Sequence, residues 1–192
     1  MENASFKEGK WAKQILALQQ ADGSWGQFHS MSRQNGYALT TEQALRRLQH
    51  LGFSMQDSCI QNAVAYMERC LQGEQSIPDP RERLHDWDIF TALMLAARIR
   101  LFTDKSEPAN AVAAQWAQII GAAFADGSYC HERYLAAYRT VFGQVPPKKA
   151  GRLVDFVHFY PVALLAGMLP PETEAAVLRH IIKHAPPSPW VC

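Results

Sequence analysis

The sequence predicts an all-helical protein whose helical hairpins are closed by a repeated Ala-Asp-Gly-Ser-aromatic loop. Apolar residues recur at the i, i+3, i+4 spacing of amphipathic helices along most of the chain. No segment shows the sustained apolar–polar alternation of a half-buried strand. The loop sequence occurs at 21–25 and again at 125–129, each time after a helical segment. Internal similarity of this kind indicates stacked helical units that need neighbours to bury their apolar faces.

The first two helices are expected on either side of the first loop. Segment 6–20 has apolar residues at helical spacing from Trp11 onward. Segment 38–51 begins with Thr40 and Gln43, which have the spacing of a capping box. Such a box pairs two backbone donors at a helix start, so it predicts the beginning of the second helix.

The next three helices are expected at 55–72, 86–103 and 107–124. The first and the last of these have apolar residues on one face, which is typical of an outer layer. Segment 86–103 is apolar almost all round from Ile89, and this predicts an inner layer that is buried on both sides. Pro108 suits the first turn of the fifth helix, where a backbone donor is unpaired anyway.

The last three helices are expected at 131–142, 153–169 and 172–185. Segment 153–169 is again apolar almost all round, so we assign it to the inner layer as well. Pro171 stands where the first turn of the last helix should form. The sequence thus predicts eight helices in an inner and an outer layer.

Composition and charge exclude several functional classes. A chain of 192 residues suits one domain, 1–192. Its net charge of +1 gives no sign of the basic surface that nucleic-acid binding requires. It has no run of about 18 apolar residues to span a membrane, and no basic-then-apolar leader at its start. The four cysteines lack paired C-x-x-C spacing. We interpret them as reduced thiols of a soluble, cytoplasmic protein.

The first loop also carries a family resemblance. Residues 15–25, Ile-Leu-Ala-Leu-Gln-Gln-Ala-Asp-Gly-Ser-Trp, resemble the Gln–Trp motif of the terpenoid cyclase and protein prenyltransferase superfamily. Residues 41–53, with the capped helix after them, resemble one hairpin of that family. The second copy departs from the motif, because Tyr129 replaces the tryptophan and alanine stands where glutamine is expected.

The resemblance implies an α/α toroid in which inner and outer helices alternate around an apolar central cavity. The toroid would be partial or open, since the chain supplies fewer hairpins than a closed ring needs. It further implies that 38–51, 86–103 and 153–169 are inner helices whose N-termini face one end of the cavity. For 86–103 and 153–169, the apolar pattern predicts the same layer without the resemblance.

Polar and aromatic residues at these N-termini are the candidate site. Acids, imidazoles and aromatic rings around an apolar cavity suit proton-initiated isoprenoid chemistry. The candidate catalytic residues are Glu42, Asp86, Asp88, Asp155 and His158, and the candidate substrate-binding residues are Tyr37, Trp87, Phe159 and Tyr160. Tyr134, on the 131–142 helix, is a further substrate-binding candidate that we expect to line or cover the mouth of the cavity. Helix capping is the favoured interpretation of Asp86 and Asp88, because carboxylates at a first turn accept amide hydrogen bonds. For His158 and Tyr160, a functional role and a satisfied buried polar group are both open.

The decisive catalytic motifs of the family are absent. Segment 86–89, Asp-Trp-Asp-Ile, lacks the last acid of a D-x-D-D motif, and no D-D-x-x-D metal site occurs. Asp57 and Cys59 match the Asp-x-Cys part of the prenyltransferase zinc site, but capping also explains Asp57. We therefore expect no bound metal and no cofactor.

Two functions remain open from the sequence. The first is an enzyme, a cyclase or a prenyltransferase, that acts on an isoprenoid-like substrate inside the cavity. The second is a non-catalytic helical module that uses its concave face for a protein or a hydrophobic ligand. Because an open set of hairpins exposes inner-layer surface, we also expect self-association into a homo-oligomer.

Overall fold

A computed structural model describes residues 6–30, 32, 36, 38–81, 86–146 and 159–184 of the chain. Over these ranges the secondary structure is helical without any strand, which confirms the predicted all-helical class. A short 3-10 helix, Phe6–Glu8, precedes the α-helices. These are α1 Lys10–Leu16, α2 Thr41–His50, α3 Ser58–Leu71, α4 Trp87–Arg100, α5 Glu107–Ala123, α6 His131–Phe142, α7 Phe159–Leu165 and α8 Pro171–His184.

The chain divides into two compact units. The first unit consists of Met1–Arg81 and Met94–Ala109, and the second consists of Glu82–Leu93 and Asn110–Cys192. Helix α4 therefore contributes its second half to the first unit and its first half to the second. The single domain 1–192 and the toroidal arrangement of the helices stay predictions.

The first helix is shorter than the sequence predicts. The backbone N–H of Gly9 donates to the carbonyl of Phe6, which closes a separate 3-10 turn, and α1 starts only at Lys10. At the other end, the N–H groups of Leu18 and Gln19 bond three residues back, so the chain tightens and leaves the helix after Leu16. Residues 17–20 of the predicted segment 6–20 thus form the approach to the first loop.

The starts of α2 and α3 follow the capping signals to different extents. The Thr40 hydroxyl accepts from the N–H of Gln43 and the Gln43 side chain accepts from the N–H of Thr40, so the predicted capping box is confirmed. In α3 the helix begins at Ser58 with Asp57 as its N-cap. The Asp57 carboxylate makes no capping hydrogen bond to the first turn of α3. It accepts from the N–H of Ser54 at 2.8 Å and pairs with Lys7 at 2.7 Å.

The middle of α4 is buried on every face. Each residue from Leu93 to Ala97 is at most 1% exposed, as the apolar pattern predicts. Helix α7 differs, because Val162 is exposed while Leu164 and Leu165 are buried. No helix in the described ranges combines the length and the apolar character that crossing a bilayer requires.

Candidate functional site

The first loop, residues 21–25, packs against the backbone of α3. Gly23 has a φ of +97°, and a Cβ atom at this position would lie 2.3 Å from the carbonyl oxygen of Asn62. Glycine is therefore required both by the backbone conformation and by the close approach. Gln19 secures the same contact, since its side-chain amide donates to the carbonyls of Gly23 (3.0 Å) and Cys59 (2.8 Å).

Trp25 connects the first loop to the ends of two helices. Its indole Nε1 donates to the carbonyl oxygen of Ile15, near the C-terminus of α1, at 2.8 Å. Its backbone N–H donates to Oγ1 of Thr41, the first residue of α2, at 3.0 Å. The side chain is fully buried. Trp25 thus holds the hairpin together and presents no surface to a ligand.

Asp22 joins the first loop to the far end of α3. Its carboxylate accepts from the N–H of Ser24 and from the amide of Gln75, both at 2.9 Å, and its carbonyl accepts from Arg69 at 2.8 Å. Burial would raise the pKa of Asp22, but the hydrogen bonds from Ser24 and Gln75 and the charge of Arg69 outweigh it and lower the pKa. The Asp22 carboxylate is therefore a charged group that links the first loop to the C-terminal end of α3.

The second loop, residues 125–129, has the same turn but different surroundings. Gly127 also has a positive φ, +72°, yet no atom lies within 4 Å of where its Cβ would be. Residues 125–128 are exposed, and Asp126 forms an ion pair with Arg133. The two copies share their turn chemistry, but only in the first does the glycine pack against the backbone of another helix.

An apolar groove lies beside the first loop and is lined by α1, α2 and the segments that adjoin them; we name it the α1–α2 groove. Its volume is about 810 Å³. Its larger apolar side chains are those of Trp11, Ile15, Leu18, Leu39 and Leu51, and its polar ones are Gln14, Arg47 and His50. Trp11 is 73% exposed and Leu18 is 45% exposed, so part of the apolar lining is open to solvent.

The sequence did not identify this groove. Helical spacing assigned Trp11 and Ile15 to one packing face, but only Ile15 is buried in the structure. The available signal was the number of large apolar residues in and just after α1, two of which, Trp11 and Leu18, are not buried in the core. Periodicity alone cannot separate a core face from an apolar surface groove.

Glu42, a candidate catalytic acid, lies in the interior of the first unit. Its Oε1 accepts from Nε of Arg98 at 2.9 Å, and its Oε2 accepts from the N–H and the hydroxyl of Ser30, both at 2.8 Å. The Glu42 side chain is fully buried and the Arg98 side chain is 9% exposed. Both carboxylate oxygens are engaged here, and Glu42 does not line the α1–α2 groove.

Asp79 is a second buried carboxylate, and sequence reasoning missed it. It accepts from the N–H groups of Phe28 (2.6 Å) and His29 (2.9 Å) and from the hydroxyl of Ser32. Its only sequence signal is its position between two prolines, in Pro78-Asp79-Pro80, which indicates a rigid turn. Together with Glu42, it fixes the chain that leads from the first loop to α2.

Asp86 and Asp88 lie at the start of α4. Asp86 immediately precedes the helix, and its Oδ1 accepts from the N–H of Ile89 at 3.2 Å, as the capping interpretation expects. Its Oδ2 accepts from the side-chain amide of Gln144. Asp88 is exposed in the first turn, where a carboxylate complements the helix dipole.

The candidate aromatic residues of the second unit occupy two places. Trp87 and Tyr160 both contact Phe90, with ring centroids 6.3 and 6.0 Å apart. Tyr134 is completely buried and packs against the Tyr138 ring at 5.9 Å. The substrate-binding roles predicted for Trp87, Tyr134 and Tyr160 stay predictions.

Three candidate residues, Tyr37, Asp155 and His158, lie outside the described part of the chain, as does the side chain of Phe159. The catalytic roles assigned to the five acids and imidazoles stay predictions. Within the described ranges, no group of three or more His, Cys, Asp or Glu side chains could hold a metal ion. No protein family, curated protein or solved structure matches this chain.

Proposed function

We propose that this chain binds an elongated apolar small molecule with a polar or anionic end, and that the ligand occupies the α1–α2 groove. The observation that carries the proposal is the groove itself. Its volume of about 810 Å³ lies in the range of small-molecule sites. Such sites are mostly apolar with a few polar groups, and this groove has that composition.

The groove offers separate contacts for the two ends of such a ligand. Trp11 and Leu18 are exposed apolar side chains, and covering them with a hydrocarbon chain removes apolar surface from water. Arg47 and His50 lie one helical turn apart on α2 and both line the groove. Arginine pairs well with carboxylate or phosphate oxygens because its guanidinium donates two parallel hydrogen bonds.

Binding without catalysis is the better-supported version of this function. No acidic side chain is among the described residues that line the groove. Glu42 is engaged in a buried ion pair, and Asp86 caps a helix. General acid catalysis needs a group within hydrogen-bond reach of the substrate, and neither of these two carboxylates lines the groove.

The isoprenoid-like character of the ligand rests on the proposed kinship with the terpenoid cyclase and protein prenyltransferase superfamily. Support comes from Gln19, Gly23 and Trp25: the first two attach the loop to α3, and Trp25 joins the ends of α1 and α2. We also propose an incomplete α/α toroid on the basis of this resemblance.

Self-association is also proposed, and it would cover exposed apolar side chains such as Leu178 and Ile182 on α8.

A calorimetric titration with three probes tests the function. The probes are a C15 isoprenoid alcohol, the corresponding diphosphate, and inorganic diphosphate. We expect the alcohol to bind, and the diphosphate ester to bind more tightly because Arg47 meets its anionic end. Replacing Arg47→Gln should remove that advantage and leave the affinity for the alcohol unchanged.

Absence of binding by the alcohol and by its diphosphate would refute the proposal. Binding of inorganic diphosphate as tight as that of the ester would also refute it, since the apolar chain would then contribute nothing. A protein-interaction module is the alternative, favoured by the exposure of Trp11 on the groove. In that case an amphipathic helical peptide would bind, and the isoprenoid alcohol would not displace it.

A further inference from the structure

A second cavity, in the second unit, lies between the second loop and α8. Its volume is about 460 Å³. The loop side contributes Phe124, Ser128 and Tyr129, and the helix side contributes Arg179, His180 and Lys183. We name it the second-loop cavity. The proposed function, which concerns the α1–α2 groove of the first unit, makes no use of it.

The basic side chains of this cavity come from one face of one helix. Arg179 and Lys183 are four residues apart on α8, so their side chains are neighbours on the helix surface. Both residues are exposed. Cations are favourable in the last turns of a helix because they complement its dipole. The dipole accounts for their presence at this end of α8, but not for the cavity that they line.

The imidazole of His180 packs against two aromatic rings, which also contact each other at a centroid distance of 5.6 Å. Its centroid is 4.8 Å from that of Tyr129 and 5.6 Å from that of Phe124, with the Phe124 ring nearly perpendicular to it. These rings form an aromatic wall next to the basic side chains. Aromatic faces of this kind pack well against planar or apolar parts of a ligand.

The described residues that line the cavity include the basic Arg179 and Lys183 and no acidic side chain. The acid of the second loop, Asp126, is paired with Arg133 of α6. An anionic group that enters the cavity therefore meets Arg179 and Lys183 and no repelling carboxylate on its lining.

The second loop also leaves its outer surface open. The first loop is covered because Gly23 sits against the α3 backbone, whereas no atom lies within 4 Å of a Cβ placed on Gly127. Ser128 is exposed and lines the cavity. The same turn that closes a hairpin in the first unit is thus available to a ligand in the second.

We propose that the second-loop cavity binds an organic phosphate. Its phosphoryl group lies between Arg179 and Lys183, which supply a bidentate guanidinium and a compact ammonium charge. The Ser128 hydroxyl donates a further hydrogen bond. The rest of the molecule packs against the partly exposed rings of Tyr129 and His180. A volume of about 460 Å³ suits a small organic molecule and exceeds the space that a phosphoryl group alone occupies.

The test measures binding of phenyl phosphate and of inorganic phosphate by NMR titration. The variant carries Arg179→Gln and Lys183→Gln, two exposed positions whose replacement leaves the core untouched. A control variant carries Arg139→Gln and Lys105→Gln, which remove the same charge from exposed positions outside the cavity. Circular dichroism checks that both variants are folded.

We expect phenyl phosphate to bind more tightly than inorganic phosphate, because only the ester reaches the aromatic wall. The R179Q/K183Q variant should lose about tenfold or more in affinity for phenyl phosphate, and the control should stay close to the wild type. Equal loss in both variants would overturn the proposal, since binding would then follow net charge alone. It is also overturned if wild-type protein binds neither probe, or if both probes bind equally tightly.

Discussion

The carboxylate of Glu42 accepts a hydrogen bond of 2.9 Å from the guanidinium Nε of Arg98, which lies 56 residues further along the chain. Both side chains are buried in the first unit, and Ser30 completes the hydrogen bonding of Glu42. An ion pair in the interior contributes little net free energy when intact, because desolvation offsets the attraction. Loss of one partner is costly, because the other charge stays buried without compensation.

We therefore expect Glu42→Ala to lower the free energy of unfolding by about 3–5 kcal/mol. Chemical denaturation followed by circular dichroism measures this. The control is Glu74→Ala, an exposed acid of the same unit, which should change stability by less than about 0.5 kcal/mol. If the two replacements cost the same, Glu42 is not a structural ion pair, and its candidacy as a catalytic acid gains weight.

The two glycines of the repeated loop provide a matched pair of replacements. Gly23→Ala and Gly127→Ala both introduce a side chain at positive φ, which costs about 1–2 kcal/mol. At Gly23 the new Cβ would also meet the Asn62 carbonyl at 2.3 Å, so backbone must shift and roughly 1–3 kcal/mol more is lost. Thermal and chemical unfolding of both variants should show the larger loss at Gly23. Equal losses would mean that the first loop is not packed on α3.

The charge of Asp22 predicts acid sensitivity of the first loop. Its folded pKa is lowered from the ordinary 3.8, so its contribution to stability is fully present above pH 3.8 and is lost as the pH falls through the lower folded value. Asp22→Asn should flatten this part of the stability profile, measured by denaturation between about pH 2 and pH 6. Glu74→Gln removes the same charge from an exposed position and is the control for the change in net charge. An identical profile for wild type and Asp22→Asn would contradict the assignment.

The thiols differ in their expected reactivity. Hydrogen bonds from the backbone and side chain of Arg133 lower the pKa of Cys130, whereas burial raises the pKa of Cys59 and raises that of Cys70 to about 11. In a Cys192→Ser background, iodoacetamide at neutral pH should therefore label Cys130 first, as read by peptide mass spectrometry. Because the thiolate is the nucleophile, the rate at Cys130 should rise at a lower pH than for an ordinary thiol.

Arg133→Gln keeps the backbone hydrogen bond to Cys130 and removes the guanidinium. The rate profile of Cys130 should then move part of the way toward higher pH. Preferential labelling of Cys59 or Cys70 would show that the interior of the first unit opens more readily than the structure indicates.

The helical class could be predicted because it depends on local spacing and on signals within a few residues. The capping box of Thr40 and Gln43 and the all-round burial of α4 are of this kind. The pairing of Glu42 with Arg98 could not be predicted, because the two residues are far apart in sequence. Nothing in the residues around them distinguishes them from the other acidic and basic residues of the chain. Asp79 was missed for the same reason: its partners are backbone amides of a distant loop.

The α1–α2 groove could not be predicted for a different reason: the sequence does not show which large apolar residues are buried and which are exposed. Trp11 on α1 and Trp25 in the first loop are both large apolar residues, yet Trp11 is exposed on the α1–α2 groove and Trp25 is buried. Which tryptophan enters the core is decided by the hydrogen bonds of Trp25 to Ile15 and Thr41. Spacing rules contain no information on such tertiary contacts.

The most direct test of the central claim is the affinity of two variants for a C15 isoprenoid alcohol. Trp11 lines the α1–α2 groove, whereas Phe6 is equally exposed, at 72%, and does not line it. We expect calorimetry to show binding by the wild type, a loss of about tenfold or more in Trp11→Ala, and an unchanged affinity in Phe6→Ala. The same affinity in all three proteins, or no binding by the wild type, would contradict the assignment of the α1–α2 groove as a ligand site.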